Sequence, residues 1–150
     1  MKRSSQIESL RAVWLFERCS HKELTLLASN TTQVRVPAGK TLTREGERGH
    51  EFFVIISGKA EATSRGVSVA TLGTGDFFGE MALLESQPRI ATVTTTEPTE
   101  VLVLNRQEFT GVIDAMPSVD RKMLTVLAAR LRDIELRYLP ADERLLTKIT

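Results

Sequence analysis

The sequence predicts a mainly β fold with flanking helices, of the α+β class: an antiparallel β-roll closed as a barrel or jelly roll, entered and left through helices. Three observations carry this. Short β-rich runs crowd the middle of the chain: "TQVRV", "EFFVIIS", "KAEATS", "VSVATL", "IATVTTT" and "TEVLVL". Tight turns such as "PAGK", "EGERG" and "SRG" separate them, leaving no room for the long crossovers that parallel strands require. Both flanks carry helical spacing and capping signals instead. The expected organisation is one domain: helices over 5–29, the roll over 31–104, closing helices over 105–139 and a tail over 140–150.

In the first flank, Leu10, Val13, Trp14 and Phe16 lie near helical spacing, and Ser20 with Glu23 offers a capping box for "HKELTLLAS". From Thr31 onward the runs are short and bounded by Gly, Pro or charge, which is strand punctuation. After Leu104, Asn105 and Glu108 form a second capping pair, and Pro117 suits the first turn of a longer helix. On that helix Leu124, Leu127, Leu131, Ile134 and Tyr138 recur at coiled-coil spacing as one apolar seam, which wants a partner and suggests a homodimer.

Composition excludes several classes. A formal net charge of +1 supplies no general attraction to nucleic acid or acidic membranes. Arg121, Lys122, Arg130, Arg132 and Arg137 are interleaved with acids and apolar residues, the pattern of a solvated helix face, so no direct nucleic-acid contact is expected. Cys19 is the single cysteine, so the chain can form no internal disulfide and no cysteine cluster for zinc. The start "MKRSSQIESLRAVWLF" lacks the apolar run of a signal peptide, and no stretch approaches a membrane span; a cytoplasmic location is expected. His21 and His50 lack metal-ligand spacing, and no nucleophile elbow or phosphate-loop motif is present, so neither a metal nor an enzyme activity is expected.

The stretch "GDFFGEMALLESQPRIATV", residues 75–93, sets two glycines, an acid and an arginine between two strands. "GEMALLE" is apolar enough for a short buried helical turn starting at Gly79, whose unpaired N–H groups would meet an anion. Arg89, stiffened by Pro88, could donate a fork of hydrogen bonds to phosphate oxygens. Glu80 could accept from a sugar hydroxyl or orient the arginine. Together these groups suit a sugar phosphate. Singly they are common dipeptides, and a surface Glu–Arg pair alone does little.

The quoted segments "WLFERCSHKELTLLA", "PAGKTLTREGERGHEFFVIISGKAEA" and "FGEMALLESQPRIATV" resemble the cyclic nucleotide-binding domain family, over nearly the whole chain. The resemblance implies a double-stranded β-helix of eight strands, a short phosphate-binding cassette helix, and a nucleotide held between roll, cassette and last helix. It implies that Glu80 receives the ribose 2′-hydroxyl, that Arg89 pairs with the cyclic phosphate, and that Gly79, Met81, Ile90 and Ala91 offer backbone contacts around them. In this family a hydroxyl side chain after the cassette arginine favours cyclic GMP; here that residue is Ile90, so cyclic AMP is the expected ligand and cyclic GMP the weaker one. Some bacterial relatives carry a Thr-Ser pair on the last helix where this chain has Ile134 and Glu135. Arg130 and Ile134 are candidates for capping the purine and Val69 for lining it, although apolar positions on a seam more often simply pack.

The expected function is a non-enzymatic sensor whose last helix relays binding to an effector. The roughly ten residues past Pro140 are too few for a helix-turn-helix, so the effector is expected to be another protein or domain. The alternative from another class is a ligand-silent β-roll interaction module in which Glu80 and Arg89 merely pair. A metal-dependent jelly-roll enzyme would need clustered histidines, and the two present are dispersed.

Overall fold

A computed structural model describes residues 2–79 and 88–138, with 2–5, 134–135 and 137–138 described by their backbone alone. Helix α1 (Lys2–Arg11) leads through a 3-10 turn (Trp14–Phe16) to α2 (His21–Asn30). The capping box forms as its residue types dictate: the Glu23 amide donates to Ser20 Oγ at 3.1 Å and the Ser20 amide to Glu23 Oε1 at 2.8 Å. Helix α2 then turns Leu24, Leu27 and Ala28 into the core.

Eight strands follow among the described residues: β1 (Thr32–Val36), β2 (Thr41–Thr43), β3 (Glu51–Ser57), β4 (Ala60–Ser64), β5 (Val67–Leu72), β6 (Phe77–Phe78), β7 (Thr92–Thr95) and β8 (Thr99–Asn105). They form two four-stranded sheets, ordered β1-β8-β3-β6 and β2-β7-β4-β5. Every pairing is antiparallel, as the tight turns require. The six runs legible in the sequence match six of these strands; β2 and β6 are too short to show alternation. Within "IATVTTT" only Thr92–Thr95 is strand.

Strand β3 explains the layering. Its continuous apolar run is buried on both faces, as expected of a strand covered on two sides. Phe52, Val54 and Ile56 face one core, shared with Phe77 and Leu102 of β6 and β8 and with the helix residues Leu10, Leu24, Phe109 and Val119. Phe53 and Ile55 face a second core between the sheets, with Ala60, Ala62, Leu72, Phe78, Val93 and Val101. The first sheet is thus sandwiched between helices and the second sheet. The Phe53 and Phe78 rings stack at 4.8 Å and fix the β3–β6 pairing that carries the chain to Gly79.

Helix α3 (Arg106–Ala115) starts at the expected capping pair, with Asn105 and Glu108 exchanging bonds of 2.8 Å. Helix α4 (Pro117–Tyr138) follows after Met116. Lys122 pins α4 to the first flank: its buried ammonium donates to the Trp14 carbonyl at 2.6 Å, sits 4.6 Å from the Trp14 ring and pairs with Glu17 at 3.2 Å.

One expectation about α4 needs correction. Leu127 does not share an outward seam: it packs, partly buried, against the helical core alongside Val126. Leu124 and Leu131 are 61% and 59% exposed. The 3.6-residue pitch places Leu127 at the margin of the core-facing stripe that holds Val119 and Met123, while the other two leucines lie farther round the helix. The side chains of Ile134 and Tyr138 lie outside the described residues, as do the expected cassette turn beyond Gly79 and the tail over 140–150.

Candidate functional site

Arg89 is the focus of the described site. Its side chain is one of few charged groups taken out of water, at 9% exposure. The guanidinium donates through Nη1 to the Gly79 carbonyl at 3.1 Å and through Nη2 to the Glu51 carbonyl at 2.5 Å. Two carbonyls from two strand ends therefore set the plane of its donor fork. The backbone is held as firmly. The Arg89 amide donates to the Glu47 carbonyl at 2.7 Å, and the Arg89 carbonyl accepts from the Gly46 amide at 2.8 Å. Pro88, which lacks an N–H, pairs as an isolated bridge with Arg48.

Gly79 meets Arg89 directly. Its φ of +96° is one that side-chain-bearing residues rarely adopt. A Cβ there would lie 2.5 Å from Arg89 Nη1 and 2.7 Å from the Glu51 carbonyl. The glycine is needed so that the guanidinium can close on the end of β6, a reason more immediate than the backbone approach expected from sequence.

The remaining candidates are placed as follows. Ile90 is 71% exposed, immediately after Arg89, and Ala91 packs against the inter-sheet core. The Ala91 carbonyl accepts from Thr43 Oγ1 at 3.1 Å. Val69 lies on β5 at 51% exposure. Arg130 reaches from α4 to β6: Nη2 donates to the Phe77 carbonyl at 2.8 Å, and the guanidinium sits 4.8 Å from the Phe77 ring. Helix α4 is thereby bonded to the strand that ends immediately before Gly79. Glu80, Met81 and the Ile134 side chain lie outside the described residues. The structure thus brings Gly79 and Arg89 together, bonds Arg130 of α4 to the strand that leads into Gly79, and leaves Val69 on an exposed strand face.

Sequence reasoning missed Glu51, Phe77 and the 44–48 loop. The backbone carbonyls that orient Arg89 carry no side-chain signature, and "EGERG" read only as a turn. Among the described residues no group of three or more His, Cys, Asp and Glu could hold a metal ion, and no helix is long and apolar enough to cross a membrane. Burial raises the pKa of the Cys19 thiol, against a smaller opposing effect of its contact with Ser118 at 3.9 Å.

The described residues thus form a β-roll in which a buried arginine is held beside a left-handed glycine at a strand end. The family model "Cyclic nucleotide-binding domain" matches residues 33–116, and the chain belongs to that family. It is 32% identical over 136 residues to the cyclic AMP receptor protein of Thermus thermophilus, covering 86% of this chain and 63% of that protein. It is 39% identical over 110 residues to a cAMP-dependent protein kinase regulatory subunit of Yarrowia lipolytica, covering 72% of this chain and 29% of that one. Among solved structures, cAMP-bound PfPKA-R superposes with a TM-score of 0.80 at 26% identity, over 93% of this chain and 49% of that one. The Thermus thermophilus catabolite activator protein gives 0.72 at 32% identity, over 89% and 62%. The chain therefore spans less than two thirds of the length of these relatives, and it is a cyclic nucleotide-binding regulatory domain similar to the ones they contain.

Proposed function

We propose that the chain is a non-enzymatic cyclic AMP sensor, in which Arg89 pairs with the cyclic phosphate and Glu80 receives the ribose 2′-hydroxyl. Gly79, Met81, Ile90 and Ala91 supply the surrounding contacts, and Arg130, Ile134 and Val69 border the base. The observation that carries this reading is Arg89: a buried guanidinium, fixed in orientation by the carbonyls of Gly79 and Glu51, at the position that matches the family's phosphate-binding arginine. Fixing the fork before the ligand arrives removes an ordering cost from binding. Ile90 has no hydroxyl for a guanine amino group, so a guanine amino group buried against it would go unpaired and disfavour cyclic GMP by about 1 to 3 kcal/mol.

The output runs through α4. Arg130 bonds that helix to β6, so a ligand held at Gly79 and Arg89 acts beside a strand already tied to the helix. The effector is a separate protein or domain, or a second copy meeting this one along the Leu124–Tyr138 stretch, where Leu124 and Leu131 are exposed. Sedimentation velocity with and without nucleotide tests the self-association; a monomer in both states removes it.

The ligand-silent module is the competing reading, and one observation favours it: the same two carbonyl bonds give Arg89 a structural job. Calorimetric titration separates the two. The sensor reading expects cyclic AMP to bind more tightly than cyclic GMP and Arg89→Ala, shown to be folded, to lose at least about 100-fold in affinity, the worth of a desolvated charged contact. Folded protein that binds neither nucleotide establishes the silent module.

A further inference from the structure

The loop between β2 and β3 does more than turn the chain. Glu45 collects the tip of the β4–β5 hairpin with both carboxylate oxygens: Oε1 accepts from the Arg65 amide at 2.9 Å and Oε2 from Ser64 Oγ at 3.2 Å. Arg65 is the one non-glycine residue with positive φ among the described residues, at 54°. Its conformation aims the amide at the carboxylate, and the bond helps hold a backbone state that side-chain-bearing residues disfavour. On its other side the same residue is stitched to β7, the Glu45 amide donating to Thr92 Oγ1 at 3.0 Å. The next two residues, Gly46 and Glu47, make the two backbone bonds that clamp Arg89, at 2.8 Å and 2.7 Å.

We propose that Glu45 is a positioning residue for nucleotide binding: its carboxylate anchors the 44–48 loop to the hairpin, and the anchored loop sets the backbone of Arg89 and thus the aim of its guanidinium. The proposal rests on the reading of Arg89 as the phosphate ligand. Glu45 touches no nucleotide; it acts through the loop. The hairpin tip and the phosphate site are one connected unit, and slack at the tip appears as slack in the arginine.

The test is titration of the full chain with cyclic AMP, with thermal unfolding of every variant alongside. Glu45→Ala is expected to weaken binding about five-fold, the equivalent of one net hydrogen bond. Glu45→Gln is expected to stay within about two-fold of the parent, because its amide oxygen still accepts from the Arg65 amide and its NH2 donates to the Ser64 hydroxyl. Ser64→Ala, which removes one bond without touching the loop, gives a smaller loss in the same direction. The decisive comparison is the Arg89→Lys background, where a point charge replaces the fork and its aim no longer matters. There Glu45→Ala is expected to add nothing. Parental affinity in Glu45→Ala, or an equal loss in both backgrounds, overturns the positioning role and leaves only a contribution to folding. An Arg89→Ala variant, shown to be folded, that binds like the parent overturns instead the phosphate reading beneath it.

Discussion

Replacing Gly79 with alanine separates the two reasons for a glycine at that position. At a φ of +96° an added side chain costs about 1–2 kcal/mol in backbone strain. The steric demand is added to this. The new Cβ would stand 2.5 Å from Arg89 Nη1 and 2.7 Å from the Glu51 carbonyl. Glu51 is paired to Asn105 in the β3–β8 ladder, so its carbonyl is held and the guanidinium must yield. Displacing it forfeits a charged hydrogen bond, about 1.5–3 kcal/mol, and moves the fork from the place that the proposed phosphate contact requires, so cyclic AMP affinity should fall roughly 10- to 150-fold. Gly39→Ala is the matched control: its φ is +82° and nothing lies within 4 Å of the added Cβ. Urea denaturation should show strain in both variants and a larger loss for Gly79→Ala, while calorimetry should show weakened nucleotide binding for Gly79→Ala alone. Equal affinity in the two variants would refute the coupling of Gly79 to Arg89.

Three further outcomes follow from the rest of the molecule. Lys122→Met removes the bonds to the Trp14 carbonyl and to Glu17 together with the ring contact, and should destabilise the fold by about 2 kcal/mol in urea melts. Gln33 holds a buried Nε2 with no hydrogen-bond partner among the described residues, so Gln33→Leu should raise stability by about 1 kcal/mol, seen as a higher urea midpoint at unchanged slope. Burial raises the pKa of Cys19, so the folded state binds the thiol proton more tightly than the unfolded chain. That contribution is complete below the ordinary thiol range and is lost as pH rises from there through the raised native pKa; Cys19→Ala should flatten the alkaline decline in stability, and iodoacetamide should label native Cys19 slowly at neutral pH.

The roll and its helices were legible because each rests on a local rule. Ser20 and Asn105 announce helix starts through their partners three residues on, and β3 announces itself by an apolar run of strand length. Strands β2 and β6 were not legible, because three and two residues are too few to establish a period. The leucine spacing of α4 named a face but not what covers it, and Leu127 turned out to belong to the chain's own core. At the candidate site, Gly79 and Arg89 stand out in the sequence because their side-chain chemistry, or lack of it, is unusual where it stands. Glu51 and the 44–48 loop act on Arg89 through backbone groups that every residue possesses, so no residue type marks them.

The most direct measurement is a crystal structure of the chain with cyclic AMP. The account predicts the cyclic phosphate within hydrogen-bond distance of the Arg89 guanidinium, with the Arg89 amide still bonded to the Glu47 carbonyl. A nucleotide bound elsewhere, or a saturated crystal in which Arg89 touches only the carbonyls of Gly79 and Glu51, would contradict it.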